Sequence, residues 1–262
     1  MPEATFVSAS DVQRFLPGAV IPISEQLKAY WRKTHRRALV HLGSRPLTLV
    51  RAARGRAFFH TGGFAELPNA VHALRIEKRE GGEGLRLWVD SLDGLLGLVD
   101  LGVVELHPWQ AKIDDIESAD LIVFDLDPGD GIEWPFVTET ALALRDFLQR
   151  HGLESWPKTS GGKGLHLMVP PREPTSHDDA RKASRLIADA FAARDERYIV
   201  SSAPAKRKDH IFIDFLRNGR GTTAVGAYSP RARPGFPVSM PVSWSDVAGR
   251  VEPDAFKLDS FL

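Results

Sequence analysis

The chain has 262 residues, with 34 basic and 34 acidic side chains, a formal net charge of zero, 43% hydrophobic residues and no cysteine. That length holds one sizeable core or two small subdomains, and the composition is ordinary for a globular protein. The absence of cysteine excludes disulfides, thiolate metal sites and a thiol nucleophile, so any metal needs oxygen or imidazole ligands, which suit Mg²⁺ or Mn²⁺.

Zero net charge leaves nucleic-acid binding to local clusters. Basic residues do cluster in Trp31–Arg37, at Arg51, Arg54 and Arg56, and again across Lys206, Arg207, Lys208, Arg217, Arg220, Arg231 and Arg233. The opening MPEATFVSASDVQRF lacks a basic segment followed by an apolar run. No apolar run approaches the roughly 20 residues that span a membrane. A cytoplasmic, nucleoid-associated protein without membrane partners is expected.

In chain order, Ser24–Leu42 reads as an amphipathic helix that buries Leu27, Tyr30, Trp31, Ala38 and Leu42. Strands are expected at Leu47–Arg51, Arg56–His60, Ala73–Lys78 and Leu85–Val89, the last after a turn supplied by Gly81, Gly82 and Gly84. A short helix at Ser91–Leu101 precedes a strand ending in Glu105-Leu-His107-Pro-Trp109. The second half alternates: strand Leu121–Asp127, helix Glu133–His151, strand Leu165–Val169, helix Thr175–Ala193, and strands Tyr198–Ser201 and His210–Phe215. The apolar side of the first of these helices carries Phe136, Thr140, Leu144, Phe147 and Leu148. The proline-rich Pro230–Pro241 is expected to run extended over the surface. The mixture predicts an α/β or α+β fold. It predicts a single domain over 1–262, with an N-terminal lobe (1–100) interlocked with a catalytic lobe (101–262).

Leu121-Ile-Val-Phe-Asp125-Leu-Asp127-Pro-Gly129 describes a buried strand that ends at a site. Strand alternation puts Asp125 and Asp127 on one face, and Phe124 and Leu126 on the other. Adjacent buried carboxylates repel, and a divalent cation relieves them. His210-Ile-Phe-Ile-Asp214-Phe215 places a third carboxylate on a second strand. Two other chemistries use Asp-x-Asp. Phosphatases of the haloacid dehalogenase type place Thr or Val where this chain has Gly129; sugar-nucleotide transferases remain compatible. Lys158-Thr-Ser160-Gly-Gly-Lys163-Gly-Leu-His166 is a glycine turn leading into a strand. Its amides can form an anion nest, with Ser160 and Lys163 adding a hydroxyl and a cation, and a triphosphate is the obvious guest.

These segments, with His107-Pro-Trp and Tyr228-Ser-x-Arg231-x-Arg-Pro-Gly235, resemble in order and spacing the polymerase domain of bacterial ATP-dependent DNA ligase D. That family belongs to the archaeo-eukaryotic primases, and the match runs over residues 40 to 245. The resemblance implies a primase-like fold with an RRM-like catalytic sheet. It implies a DNA-directed polymerase of non-homologous end joining: gap filling, primer extension, and primase or terminal-transferase activity with NTPs and dNTPs. It places Asp125, Asp127 and Asp214 on two Mn²⁺ or Mg²⁺ ions, and Ser160, Lys163, His166 and Arg231 on the incoming triphosphate. His107 goes near the nucleotide sugar, and Phe58 or Phe59 on a template base, the other phenylalanine being core. DNA contacts are expected at Arg51 and Arg54. Gapped or broken DNA, a primed template, Ku and a ligase are the implied partners. The N-terminal region departs from the family: Gln13 and Ser24 stand where basic residues grip a 5′-phosphate.

Overall fold

The computed structural model describes residues 14–53, 56–79 and 81–262. It contains two compact units, one of Met1–Trp109, Val225–Val238 and Lys257–Leu262, the other of Gln110–Ala224 and Ser239–Phe256. The break after the first lobe thus falls at Trp109, and two C-terminal segments return to the first unit.

Among the described residues, the first unit is a sheet with two α-helices. Its strands are β1 (Arg14–Leu16), β2 (Leu47–Ala53), β3 (Arg56–His60), β4 (His72–Glu77), β5 (Glu83–Trp88) and β6 (Val103–Pro108). They run in the order β1-β3-β2-β5-β4, with β6 also paired to β2. Helix α1 (Ser24–Leu42) buries Leu27, Tyr30, Trp31, Thr34, Ala38 and Leu42 and leaves Arg32, Lys33, Arg36 and Arg37 in solvent. Its apolar stripe recurs at the 3.6-residue period, as expected. Helix α2 (Leu92–Asp100) begins where the Ser91 hydroxyl accepts from the Gly94 amide at 3.2 Å.

The second unit is built on the five-stranded sheet β12-β13-β8-β10-β9. In chain order its elements are β7 (Ser118–Ala119), β8 (Ile122–Pro128), α3 (Trp134–Arg150), β9 (Trp156–Thr159), β10 (Leu165–Val169), β11 (Thr175–Ser176), α4 (His177–Ala192), β12 (Tyr198–Ile199), β13 (Ile211–Asp214) and α5 (Trp244–Ala248). Phe124 and Leu126 of β8, Leu165 and Leu167 of β10, and Ile211 and Ile213 of β13 are fully buried. They pack with Val137, Ala141, Leu144 and Leu148 of α3 and with Ala180, Ala188 and Phe191 of α4. Both helices therefore cover one face of the sheet, and the alternate residues of the same strands point to the other.

The apolar side of α3 carries Thr140, Leu144 and Leu148 buried and Phe136 and Phe147 partly buried against the core, as expected, and Val137 and Ala141 join them. Two expectations need correction. The helix read from Thr175 begins at His177, because Ser176 caps it by accepting from the Asp179 amide at 3.1 Å. The proline-rich tail is not a surface strap. Ala232, Val238, Ser239 and Met240 are buried, and Gly235, at φ 75°, turns the chain so that the Arg231 amide donates to Pro237 at 2.8 Å. Pro230, Pro237 and Pro241 sit in β-bridges and Pro234 in a turn; Ala232 and Val238 among them are core.

Strand β13 is short and pairs with β8 only between Asp125 and Pro128. Beyond that point the Asn218 side chain replaces the missing strand. It accepts from the Val123 amide at 2.7 Å and donates to the carbonyls of Val123 at 2.9 Å and Phe215 at 2.8 Å. Asn218 is 1% exposed, so water cannot substitute for it. Asn218→Ala is expected to destabilise the protein by about 2–4 kcal/mol, because it strands several buried backbone groups at once. Denaturant unfolding measures this, and a loss below about 1 kcal/mol would mean that Asn218 is not the sheet's substitute partner.

Candidate active site

The register of the second sheet assembles one polar row. Lys158 of β9 lies opposite His166 of β10, His166 opposite Asp125 of β8, and Asp125 opposite Asp214 of β13. Directly opposed residues on neighbouring strands bring their Cβ atoms within about 4.5–5.5 Å. Asp127 lies two residues along β8 on the same face, opposite Phe212. Further along this face Val123 and Met168 form a small apolar cluster with Ala224, against which Leu121 and Trp156 pack. This face is thus apolar at one end and ionisable at the other, towards Asp127.

The charges are arranged around Asp125. His166 Nε2 stands 3.4 Å from one of its oxygens and Arg217 3.8 Å from the other. Arg217 Nε pairs with Asp214 at 3.0 Å, and Asp214 also accepts from the Leu216 amide at 2.7 Å. Arg207 is paired with Asp127. Burial pushes the Asp125 carboxyl up to about 7; Arg217 opposes this, and the neighbouring Asp214 and Asp127 add to it. Burial likewise raises Asp214, with Arg217 again opposing. Lys158 is almost wholly buried and donates to the Ser239 hydroxyl at 2.8 Å.

The glycine hairpin closes beside this row. The Ser160 hydroxyl accepts from the Gly164 amide at 3.1 Å, and the Ser160 amide donates to the Gly164 carbonyl at 3.1 Å. A Cβ on Gly164 would fall 2.6 Å from the Leu126 carbonyl oxygen, so only glycine lets the hairpin approach β8. Lys163 is exposed at the tip, 3.9 Å from Asp130.

Chemically, the three aspartates offer hard oxygen donors at a site where their charge is costly, which fits a divalent cation of the Mg²⁺ or Mn²⁺ kind. Among the described residues, no three Asp, Glu or His side chains yet stand as a closed cage. Asp127 is paired with Arg207, and Arg217 bridges Asp214 and Asp125.

The remaining expected site residues belong to the first unit. His107 and Arg231 converge there on a buried carboxylate, Glu105, which the sequence reading did not single out. The Glu105-x-His107 spacing on one strand face was the available signal. Phe58 and Phe59 are both half-buried, so neither is the core residue expected of one of them; Phe59 packs edge-on against His107 with centroids 5.4 Å apart. A β-bulge between Val50 and Arg51 turns the Arg51 guanidinium inward, where Nε donates to the Leu101 carbonyl at 2.7 Å and the group lies over Phe64. Arg54 and Gln13 lie outside the described residues. Ser24 opens α1 at a cleft of about 330 Å³ whose lining, which includes Ile21, Pro22, Leu27 and Val103, carries no charged side chain among the described residues. Among the described residues, no helix is long and apolar enough to cross a membrane.

A family model described as the LigD primase-polymerase domain matches residues 25–262. The chain is 34% identical over 246 residues to the multifunctional non-homologous end joining protein LigD of Pseudomonas aeruginosa, covering 90% of this chain and 28% of that protein. It is 26% identical over 229 residues to the bifunctional LigD of Bacillus subtilis, covering 86% of this chain and 36% of that one. The polymerase domain of Mycobacterium tuberculosis ligase D, solved in complex with DNA, matches with a TM-score of 0.85 and 25% identity over 95% of this chain and 92% of that domain. The chain therefore spans only about a third of the curated relatives it matches. The sheet that carries Asp125, Asp127 and Asp214 is that of an archaeo-eukaryotic primase-like α+β fold, and the chain belongs to the LigD primase-polymerase domain family.

Proposed function

We propose that this chain is a DNA-directed nucleotidyltransferase that extends primers and fills gaps at DNA breaks, with a divalent-cation-dependent site at Asp125, Asp127 and Asp214. The observation that carries the reading is the cross-strand juxtaposition of Asp125 and Asp214, with Asp127 on the same face, in a chain of this family. The DNA-bound state of the Mycobacterium tuberculosis domain and the end-joining names of the relatives support DNA as the partner. Ku and a ligase are proposed as partners on the same ground. The competing reading, a sugar-nucleotide transferase, rests on Asp-x-Asp alone and gains nothing from the family match.

In this proposal the three aspartates hold two Mn²⁺ or Mg²⁺ ions, which when bound neutralise charge at the α-phosphate and lower the pKa of the primer 3′-hydroxyl. The protein's own groups do the positioning. The glycine hairpin offers backbone amides and the Lys163 ammonium to the triphosphate. His166 fixes the orientation of Asp125 from the neighbouring strand. Arg207 and Arg217 balance the carboxylate charge and so limit what the site costs the fold. His107 and Arg231 are assigned to the incoming nucleotide, and the exposed basic face of α1 to DNA phosphates, with a binding strength that falls steeply with salt.

Asp125→Ala and Asp214→Ala should each reduce Mn²⁺-dependent primer extension to below a few per cent of wild type while the protein stays folded. A gel extension assay paired with circular dichroism reads both, and substantial residual extension by either variant would overturn the aspartate assignment.

The raised Asp125 value also sets a pH dependence. Its ordinary value is 3.8 and its folded value about 7, so over that interval the folded metal-free protein keeps a proton that the unfolded chain has released. Stability from this group is full below about pH 4 and lost as pH rises towards 7. The difference in unfolding free energy between wild type and Asp125→Asn, measured in chelator from pH 4 to 8, should move steadily in favour of the variant as pH rises. A flat difference would mean that the carboxyl is not held protonated.

A further inference from the structure

One buried charge of the first unit has no role so far. Glu105 sits within β6 at 3% exposure, two residues before His107 and on the same strand face. Its Oε2 accepts from His107 Nε2 at 2.9 Å and from Arg231 Nε at 2.9 Å, and its Oε1 accepts from the Ala232 amide at 2.8 Å. Burial alone would favour a neutral carboxyl. The bonds from His107, Arg231 and the Ala232 amide outweigh it and hold the group down to about 2, so it is an anion at any working pH.

Glu105 is not needed merely to attach the 225–238 segment to β6. The Leu106 amide already donates to the Ser229 hydroxyl at 2.8 Å, and the Gly226 amide to the Leu106 carbonyl at 2.8 Å. An apolar residue beside these bonds would hold the segment without the cost of a buried charge. What only a carboxylate does is fix two side chains at once. It has no hydrogen to give, so His107 Nε2 must carry one, and in the neutral imidazole that makes Nδ1 an acceptor. A sugar hydroxyl can donate to such an acceptor. Arg231, held through Nε, loses the freedom of its long side chain before any ligand arrives.

We propose that Glu105 is a positioning residue for nucleotide binding: it locks His107 as the Nε2–H tautomer, to accept from a nucleotide sugar hydroxyl, and holds the Arg231 guanidinium pre-oriented for the same nucleotide. This rests on the reading that His107 and Arg231 serve the incoming nucleotide, and it adds how they are held and in which protonation form.

The test is Glu105→Gln. Glutamine offers one acceptor and one donor where glutamate offers two acceptors, so whichever way the amide turns, a donor faces either the Ala232 amide or the His107–Arg231 pair. Three readouts are taken on wild type and variant: thermal unfolding, the His107 tautomer by ¹⁵N NMR, and nucleotide affinity together with KM and kcat in primer extension. The expected variant is folded, shows a mixture of His107 tautomers, and has its nucleotide KM and dissociation constant raised about tenfold to 100-fold, with kcat changed much less. A folded variant with wild-type nucleotide affinity, or with the single Nε2–H tautomer intact, overturns the proposal. Should Glu105→Gln fail to fold, Glu105→Gln with Arg231→Met removes the unpaired buried cation and carries the tautomer test alone; retention of the single tautomer there also overturns it. A wild-type protein that binds no nucleotide would instead sink the underlying nucleotide assignment, and the proposal with it, an outcome visible without any variant.

Discussion

Two carboxylates placed directly opposite each other on adjacent strands, and largely withdrawn from water, are the constraint on which the second unit turns. Asp125 and Asp214 are cross-strand partners, and Asp127 follows on the same face. A sheet can carry such a row only if its other face supplies the stability, and here Phe124, Leu126, Ile211 and Ile213 bury themselves against α3 and α4. The row also needs counter-charge. Arg217 reaches both Asp125 and Asp214, Arg207 takes Asp127, and Lys158 is buried on the strand at the far side of His166. Removing the cations would leave carboxylates in a poorly solvated place, which is why buried pairs of this kind are costly to break.

The first unit solves a related problem with the opposite sign of shift. There a single carboxylate, Glu105, is surrounded by donors and driven firmly to its anion, while Asp125 is pushed towards its neutral form. Burial acts the same way on both. What differs is the company: Glu105 has a histidine, an arginine and a backbone amide within 3 Å, whereas Asp125 has His166 at 3.4 Å and Arg217 at 3.8 Å and lies beside two other aspartates.

Much of this was legible in the chain. Strand alternation put Asp125 and Asp127 on one face and Phe124 and Leu126 in the core. The isolated Asp214 in an apolar strand was likewise readable, as was the glycine hairpin, because glycine and alternation are local signals. Long-range closure was not local and was not read. Arg217 and Arg207 look like members of a basic surface cluster until the fold aims them at aspartates. Glu105 meets Arg231 across 126 positions of sequence. Asn218 reads as a turn residue, yet it stands in for a strand. The proline-rich tail misled because proline reports on backbone conformation, not on burial, and Ala232 and Val238 among the prolines are core. Arg51 reads as a surface cation, and its Nε bond to the Leu101 carbonyl, 50 positions away, was not legible.

The proposal that carries the function is that Asp125 and Asp214 hold a divalent cation, and that their paired carboxylates are a cost to the metal-free fold. Calorimetric titration of Mn²⁺ into wild type and into Asp125→Asn, with unfolding of each followed with and without the ion, tests both halves together. The account predicts that wild type binds Mn²⁺ and is stabilised by it, and that the variant loses that binding yet is the more stable protein at neutral pH in chelator. Undiminished Mn²⁺ binding by the variant, or a variant less stable than wild type without metal, would contradict it.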